Sequence, residues 1–156
     1  MNNYEDLMYD SPVPIYESAE LPERLKGLYI ETTGAKKILL NRKVPTSIEK
    51  ACILAEELGH YYTSSGNILD QTLLVNRKQE QRARAWAYEK LVPLESIIHA
   101  HRIGIRNRYE LADYLNVTED FLNSAISRYR DKHGKYVVVD TYTVCLDPLG
   151  VFELFE

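Results

Sequence analysis

The sequence predicts an α+β fold. Two observations carry that prediction: apolar residues recur at helical spacing through the middle of the chain, and short β-branched or aromatic runs stand before and after that stretch. The length of 156 residues suits one compact core, or one core with a small appendage. Hydrophobic residues at 45% and charged residues at 27% are ordinary for globular chains, which argues against long disorder and fibrous repeats.

Residues 1–24, with Pro12, Pro14 and several acids, carry little signal and are expected to be loosely held. Leu25 to Thr32 and Lys36 to Leu40 are runs rich in Leu, Ile and Tyr, separated by Thr33-Gly34, and they predict a hairpin. In Pro45-Thr46-Ser47-Ile48-Glu49, Thr46 can cap a helix and Glu49 can return the bond. Ile48, Ala51, Cys52, Ala55, Leu58 and Tyr62 then follow helical spacing, and the helix should close near Ser65-Gly66. A loop from Asn67 to Asn76 is expected next. A second helix spans about Arg77 to Val92 and is stopped by Pro93, which cannot continue the backbone ladder. Leu94 to Ile103 predicts a third helix, and Arg108 to Lys132 two more, broken around Asn116. Tyr136 to Val139, Tyr142 to Leu146 and Val151 to Phe155 predict closing strands. The expected organisation is an N-terminal segment over 1–24, a core over 25–104, and a helix-turn-helix-like segment with C-terminal strands over 105–156.

Several function classes lose support at this level. No run approaches the roughly 18 consecutive apolar residues of a membrane span, and the acidic start MNNYEDLMYD is unlike a basic leader, so the cytoplasm is the expected compartment. Cys52 and Cys145 sit in apolar segments, as buried thiols in a reducing compartment do. A net charge of −4 provides no global field for phosphate backbones. Gly-rich phosphate loops, nucleophile elbows and Cys-His pairings are missing from the sequence. His99, His101 and His133 read as surface residues.

The chemistry concentrates in the string Glu56-Glu57-Leu58-Gly59-His60. Glu56 and His60, four apart, face the same way on a helix, with Glu57 one step round. Burying two carboxylates and an imidazole unpaired would cost several kcal/mol, and a bound cation removes that cost. The pattern is a departed form of H-E-x-x-H, in which two ligands at i and i+4 flank a glutamate that deprotonates water. The alternative is a solvated charged face with His60 against tyrosines. Against it stand the apolar flanks Ile53, Leu54 and Leu58, and Gly59, which costs about 1 kcal/mol within a helix unless something approaches its backbone. Glu80, followed by Ala83 and Ala87, makes a helix face of one acid and small residues that permits close contact with the first helix.

The stretches A-E-E-L-G-H-Y-Y from Ala55 to Tyr62 and E-Q-R-A-R-A-W-A-Y-E-K-L-V-P from Glu80 to Pro93 resemble the ImmA/IrrE family of metallopeptidases. That family typically shows a zincin helix of the type H-E-L/I-G-H and then a helix E-x-E-A-N-x-F-A-x-x-L-L-M-P that supplies a glutamate ligand. The likeness runs over roughly residues 25 to 130. It implies a zincin-like helical core, Zn²⁺ as cofactor, Glu57 as general base, His60 as ligand and Glu80 as the acid of the later helix. Two departures matter: Glu56 stands where the first histidine is expected, and Arg82 where a second acid is expected. Glu56 and Asp70, the latter ten residues beyond His60, are both candidates to complete the metal set.

The resemblance further implies an anti-repressor of a prophage or mobile element, acting on a helix-turn-helix repressor. Two rivals stand beside it, a silent relative that only binds the repressor and a small transcription factor. The segment Arg108 to Tyr129 looks like a helix-turn-helix with Leu111, Ala112, Leu115, Val117, Leu122 and Ile126 as core. Its second helix opens with Glu119 and Asp120, which would repel phosphates, so no sequence-specific DNA binding is expected. Substrate is expected to lie extended beside the Lys36 to Leu40 strand.

Overall fold

The structure, a computed structural model, describes residues 2–63 and 73–153. Backbone contacts divide the chain into two units, Met1–Ala87 and Tyr88–Glu156. Among the described residues there are six helices and two three-stranded sheets, an α+β architecture.

The first unit opens with α1 (Asn3–Asp10), held by a capping box in which the Asn2 side chain accepts from the Glu5 N–H at 2.9 Å. Strand β1 (Ile15–Ala19) follows, then β2 (Gly27–Thr32) and β3 (Ala35–Asn41). As the sequence predicts, β2 and β3 form an antiparallel hairpin, with Tyr29 opposite Ile38. Gly34 supplies the positive φ of 88° that its turn needs. β1 adds in parallel on the other side of β3, with Ile15 opposite Ile38, so the order is β1-β3-β2 and β3 is central. Ile38 and Leu40 are accordingly fully buried. Buried Asn41 donates to the carbonyls of Leu21, Pro22 and Leu25 and accepts from the Lys43 N–H, which satisfies its amide and fastens the segment before β2.

Helix α2 (Ser47–Thr63) starts where expected, its Thr46 hydroxyl accepting from the Glu49 N–H at 3.1 Å. It packs on β2, β3 and α1, burying Ala51, Leu54, Ala55 and Leu58. The expected closing residues Ser65 and Gly66 lie outside the described residues. Helix α3 (Leu73–Leu91) begins within the expected loop, four residues before Arg77, and crosses the division between the units.

In the second unit, α4 (Leu94–Arg102) packs against α5 (Arg108–Leu115), and α6 (Glu119–His133) follows. The α5–α6 turn is made by Asn116, left-handed at φ 55°, and by Thr118, whose hydroxyl caps α6 by accepting from the Phe121 N–H. This is the expected helix-turn-helix, with Leu111, Ala112, Val117, Leu122 and Ile126 buried and Leu115 partly so. Strands β4 (Tyr136–Val139), β5 (Tyr142–Leu146) and β6 (Leu149–Glu153) form an antiparallel meander. Gly150 pairs with Cys145 inside β6 and does not punctuate it, so that strand starts two residues earlier than predicted. Within the second unit α4 packs with α5, β5 and β6. Cys52 and Cys145 are free and buried. No described helix is long and apolar enough to cross a membrane.

Candidate active site

The site begins with a glycine. A Cβ on Gly59 would come within 2.8 Å of the Ala83 carbonyl carbon, so α2 and α3 cross here backbone to backbone, and only glycine permits the approach. At about 100° of turn per residue, His60 projects to one flank of this crossing, with Glu56 one turn before it on the same face. From α3, Glu80 lies three residues before Ala83 and reaches the same flank. The outcome is a contact of 3.1 Å between His60 Nε2 and Glu80 Oε1. Tyr62 turns to the opposite flank and stacks on Trp86, centroids 4.9 Å apart and planes at 21°, clamping the two helices from the other side. Gly59 is therefore explained by helix packing.

Glu57 faces the sheet. The Tyr29 backbone N–H of β2 donates to its carboxylate. At Gly27 an added Cβ would lie 2.6 Å from Ile53 Cγ2 and 3.2 Å from Glu57 Cγ, so β2 runs hard against α2 at this point. The sequence places substrate beside the Lys36 to Leu40 strand, but β3 is the central strand, with β2 along one side and β1 along the other from Ile38 onward. The edge strand beside Glu57 is β2.

The electrostatics follow from burial and crowding. Burial pushes the Glu57 carboxyl up to about 7; the charges of Glu56 and Glu80 push the same way, against His60 and the Tyr29 N–H. Glu56 is also raised, chiefly by burial, with Arg84 opposing. Burial draws the His60 imidazole down, but the hydrogen bond to Glu80 and the charges of Glu57, Glu80 and Glu56 outweigh it and leave it raised. Glu80 is lowered, first by its hydrogen bond with His60. The other ring nitrogen, His60 Nδ1, is buried without a hydrogen-bond partner among the described residues.

Glu56, Glu57, His60 and Glu80 thus share one electrostatic neighbourhood. Asp70 lies outside the described residues. Arg84, a residue that no motif marks, lies beside Glu80, with Nε 3.9 Å from Glu80 Oε2. The signal for it was its i+4 spacing from Glu80. His99, His101 and His133 all lie in the second unit.

Among protein families, Peptidase M78, described as the IrrE N-terminal-like domain, matches residues 13–127. The chain belongs to this family. No curated protein and no solved structure matches it. It is a metallopeptidase-like domain, and the family implies a metal, usually zinc. Among the described residues no group of three or more His, Cys, Asp and Glu side chains is assembled to hold an ion. His60 and Glu80 nonetheless meet, and the second ring nitrogen of His60 is buried without a partner among the described residues.

Proposed function

We propose that the chain is a zinc-dependent endopeptidase acting on a protein substrate, a helix-turn-helix repressor of a prophage or mobile element. The observation that carries the reading is the meeting of His60 and Glu80 across the Gly59 crossing, with Glu57 part-buried beside them. His60 and Glu80 would hold the ion, with Glu56 or Asp70 completing the set. Zinc supplies a Lewis acid that polarises a peptide carbonyl and makes water easier to deprotonate. Glu57 takes a proton from the attacking water and passes it to the leaving amine, and a carboxyl value near neutrality suits a group that must do both. The Tyr29 N–H fixes the direction of that carboxylate.

A second reading, a domain that binds the repressor without cutting it, is favoured by the lack of an assembled three-donor group among the described residues. One experiment separates the two. A helix-turn-helix repressor is co-expressed with wild type, Glu57→Gln or His60→Ala, while cleavage, derepression and bound zinc are followed. The endopeptidase reading expects Glu57→Gln to keep zinc and lose about 10² to 10⁴ in cleavage rate, and His60→Ala to lose most of its zinc along with its nitrogen donor. Derepression that survives in Glu57→Gln without any cleavage would leave binding as the activity.

A further inference from the structure

Among the described residues β4 pairs with β5 alone, so one of its sides is open. The Leu146 N–H donates to the Lys135 carbonyl at 2.8 Å, in the same register that sets Tyr136 opposite Cys145. Bonding alternates along an antiparallel pair, so Val137 and Val139 turn their N–H and C=O groups toward β5, and Tyr136 and Val138 turn theirs to the open side. An edge of this kind templates association unless charge, proline or a bulge blunts it. The strand Tyr-Val-Val-Val has none of these, and its Tyr136 and Val138 side chains are 60% and 68% exposed. At the other edge of the sheet, β6 carries Glu153 and packs against α4. We propose that β4 is a self-association edge, to which β4 of a second copy of this chain adds antiparallel across a two-fold axis, joining the two sheets into one.

Symmetry and the two faces of the sheet select the register. Residues opposite one another share a face, and Val137, opposite the buried Val144, belongs to the inner one. The second copy keeps its inner face inward only where even-numbered residues meet even-numbered ones. Centring the axis on Val137 sets Tyr136 of each copy opposite Val138 of the other. These are the residues whose backbone groups point outward, so each pair exchanges both of its N–H···O=C bonds, and an aromatic ring meets a β-branched side chain. Centring on Val138 would instead set Tyr136 opposite Asp140 and keep a single bonded pair. Charge favours the same arrangement. Exposed Lys135 precedes the strand and exposed Asp140, at φ 54°, ends it. Antiparallel pairing brings Lys135 of each copy next to Asp140 of the other, whereas a parallel partner would set like beside like. With four residues to pair, the interface falls below the standard size, and the dimer is weak and reversible. Each copy uses the same edge, so assembly closes at two.

The test is sedimentation velocity of the full chain from low-micromolar to millimolar concentration, for wild type, Val138→Lys and Lys135→Glu, joined to amide hydrogen exchange on wild type. Wild type should pass from monomer to dimer and no further. Val138→Lys changes an exposed side chain and should weaken association by about tenfold, because lysine blunts an edge and a two-fold interface meets each substitution twice. Lys135→Glu sets a carboxylate beside Asp140 at both ends and should weaken association by about fivefold, with added salt narrowing its gap to wild type. Unchanged thermal midpoints show that both variants fold. Exchange reads the edge without any substitution: the Tyr136 and Val138 amides should slow as concentration rises, while the Val137 amide, bonded within the sheet, stays the same. Wild type that remains monomeric throughout overturns the proposal. A Val138→Lys variant that dimerises like wild type overturns it as well, because another surface would then be the interface. Growth past the dimer, or Tyr136 and Val138 amides indifferent to concentration, has the same consequence.

Discussion

Glu57 ties stability to pH as well as chemistry. With its carboxyl pushed up to about 7, chiefly by burial, the native chain holds a proton over a range where the unfolded chain, at the ordinary 4.5, has released it. A raised carboxyl favours the native state on the acid side: its contribution is whole below about 4.5 and is lost as pH climbs to 7. Glutamine is neutral throughout and carries no such loss. In metal-free protein, Glu57→Gln should therefore match wild type near pH 4.5 and exceed it at pH 8 by about 3 kcal/mol. Urea unfolding in the presence of a chelator at the two pH values checks this. An advantage confined to the acid side would contradict the burial of Glu57. At this scale the sequence is informative about what spacing dictates: Glu56 and His60 share a face because they are four apart, and Glu80 stands out as an acid before alanines. The meeting of His60 and Glu80 is not legible in the same way, because the two are 20 positions apart and become neighbours only when the helices cross.

Among the elements, the crossing of α2 and α3 decides whether the site exists. The sequence hinted at it, since a glycine inside a helix asks for a close approach, but what approaches is fixed only by tertiary packing, here the Ala83 backbone. Gly59→Ala would raise helix propensity by about 1 kcal/mol and still destabilise, because the new methyl meets main chain that cannot rotate aside. Overpacking of this kind costs about 1 to 3 kcal/mol. A lower midpoint of thermal unfolding is expected, together with lost zinc, since a widened crossing parts His60 from Glu80. A variant more stable than wild type would show that the helices do not meet there. The elements that escaped prediction share a cause. β1 pairs in parallel with β3, which lies more than twenty residues on, and no local pattern announces such pairing. α1 carried its own start signal in Asn2 and Glu5, hidden by the acids and prolines around it.

For the whole molecule, the open question is whether the helix-turn-helix makes the chain a DNA-binding protein. Non-specific affinity for a duplex comes from cations that displace counterions, and a chain with 19 Lys and Arg against 23 Asp and Glu has no surplus to supply it. The local picture agrees. Glu119 and Asp120 fill the first turn of α6, the part that would approach base edges, and both are exposed. Two cations of this region are engaged: Arg108 donates to Asn123 at 2.6 Å, and Arg130 pairs with Asp147 at 3.1 Å. The capping hydroxyl of Thr118 and the buried Phe121, Leu122, Ala125 and Ile126 explain α6 as packing. The expected outcome is that the full chain gives no sequence-selective shift of duplex DNA at physiological salt, and that Glu119→Ala with Asp120→Ala leaves repressor cleavage unchanged. A selective shift that weakens steeply with salt would make the transcription-factor reading the better one, because that slope counts phosphates contacted by the protein. Loss of cleavage in the double variant, with no change in zinc or unfolding midpoint, would instead assign the acidic start of α6 to the repressor contact.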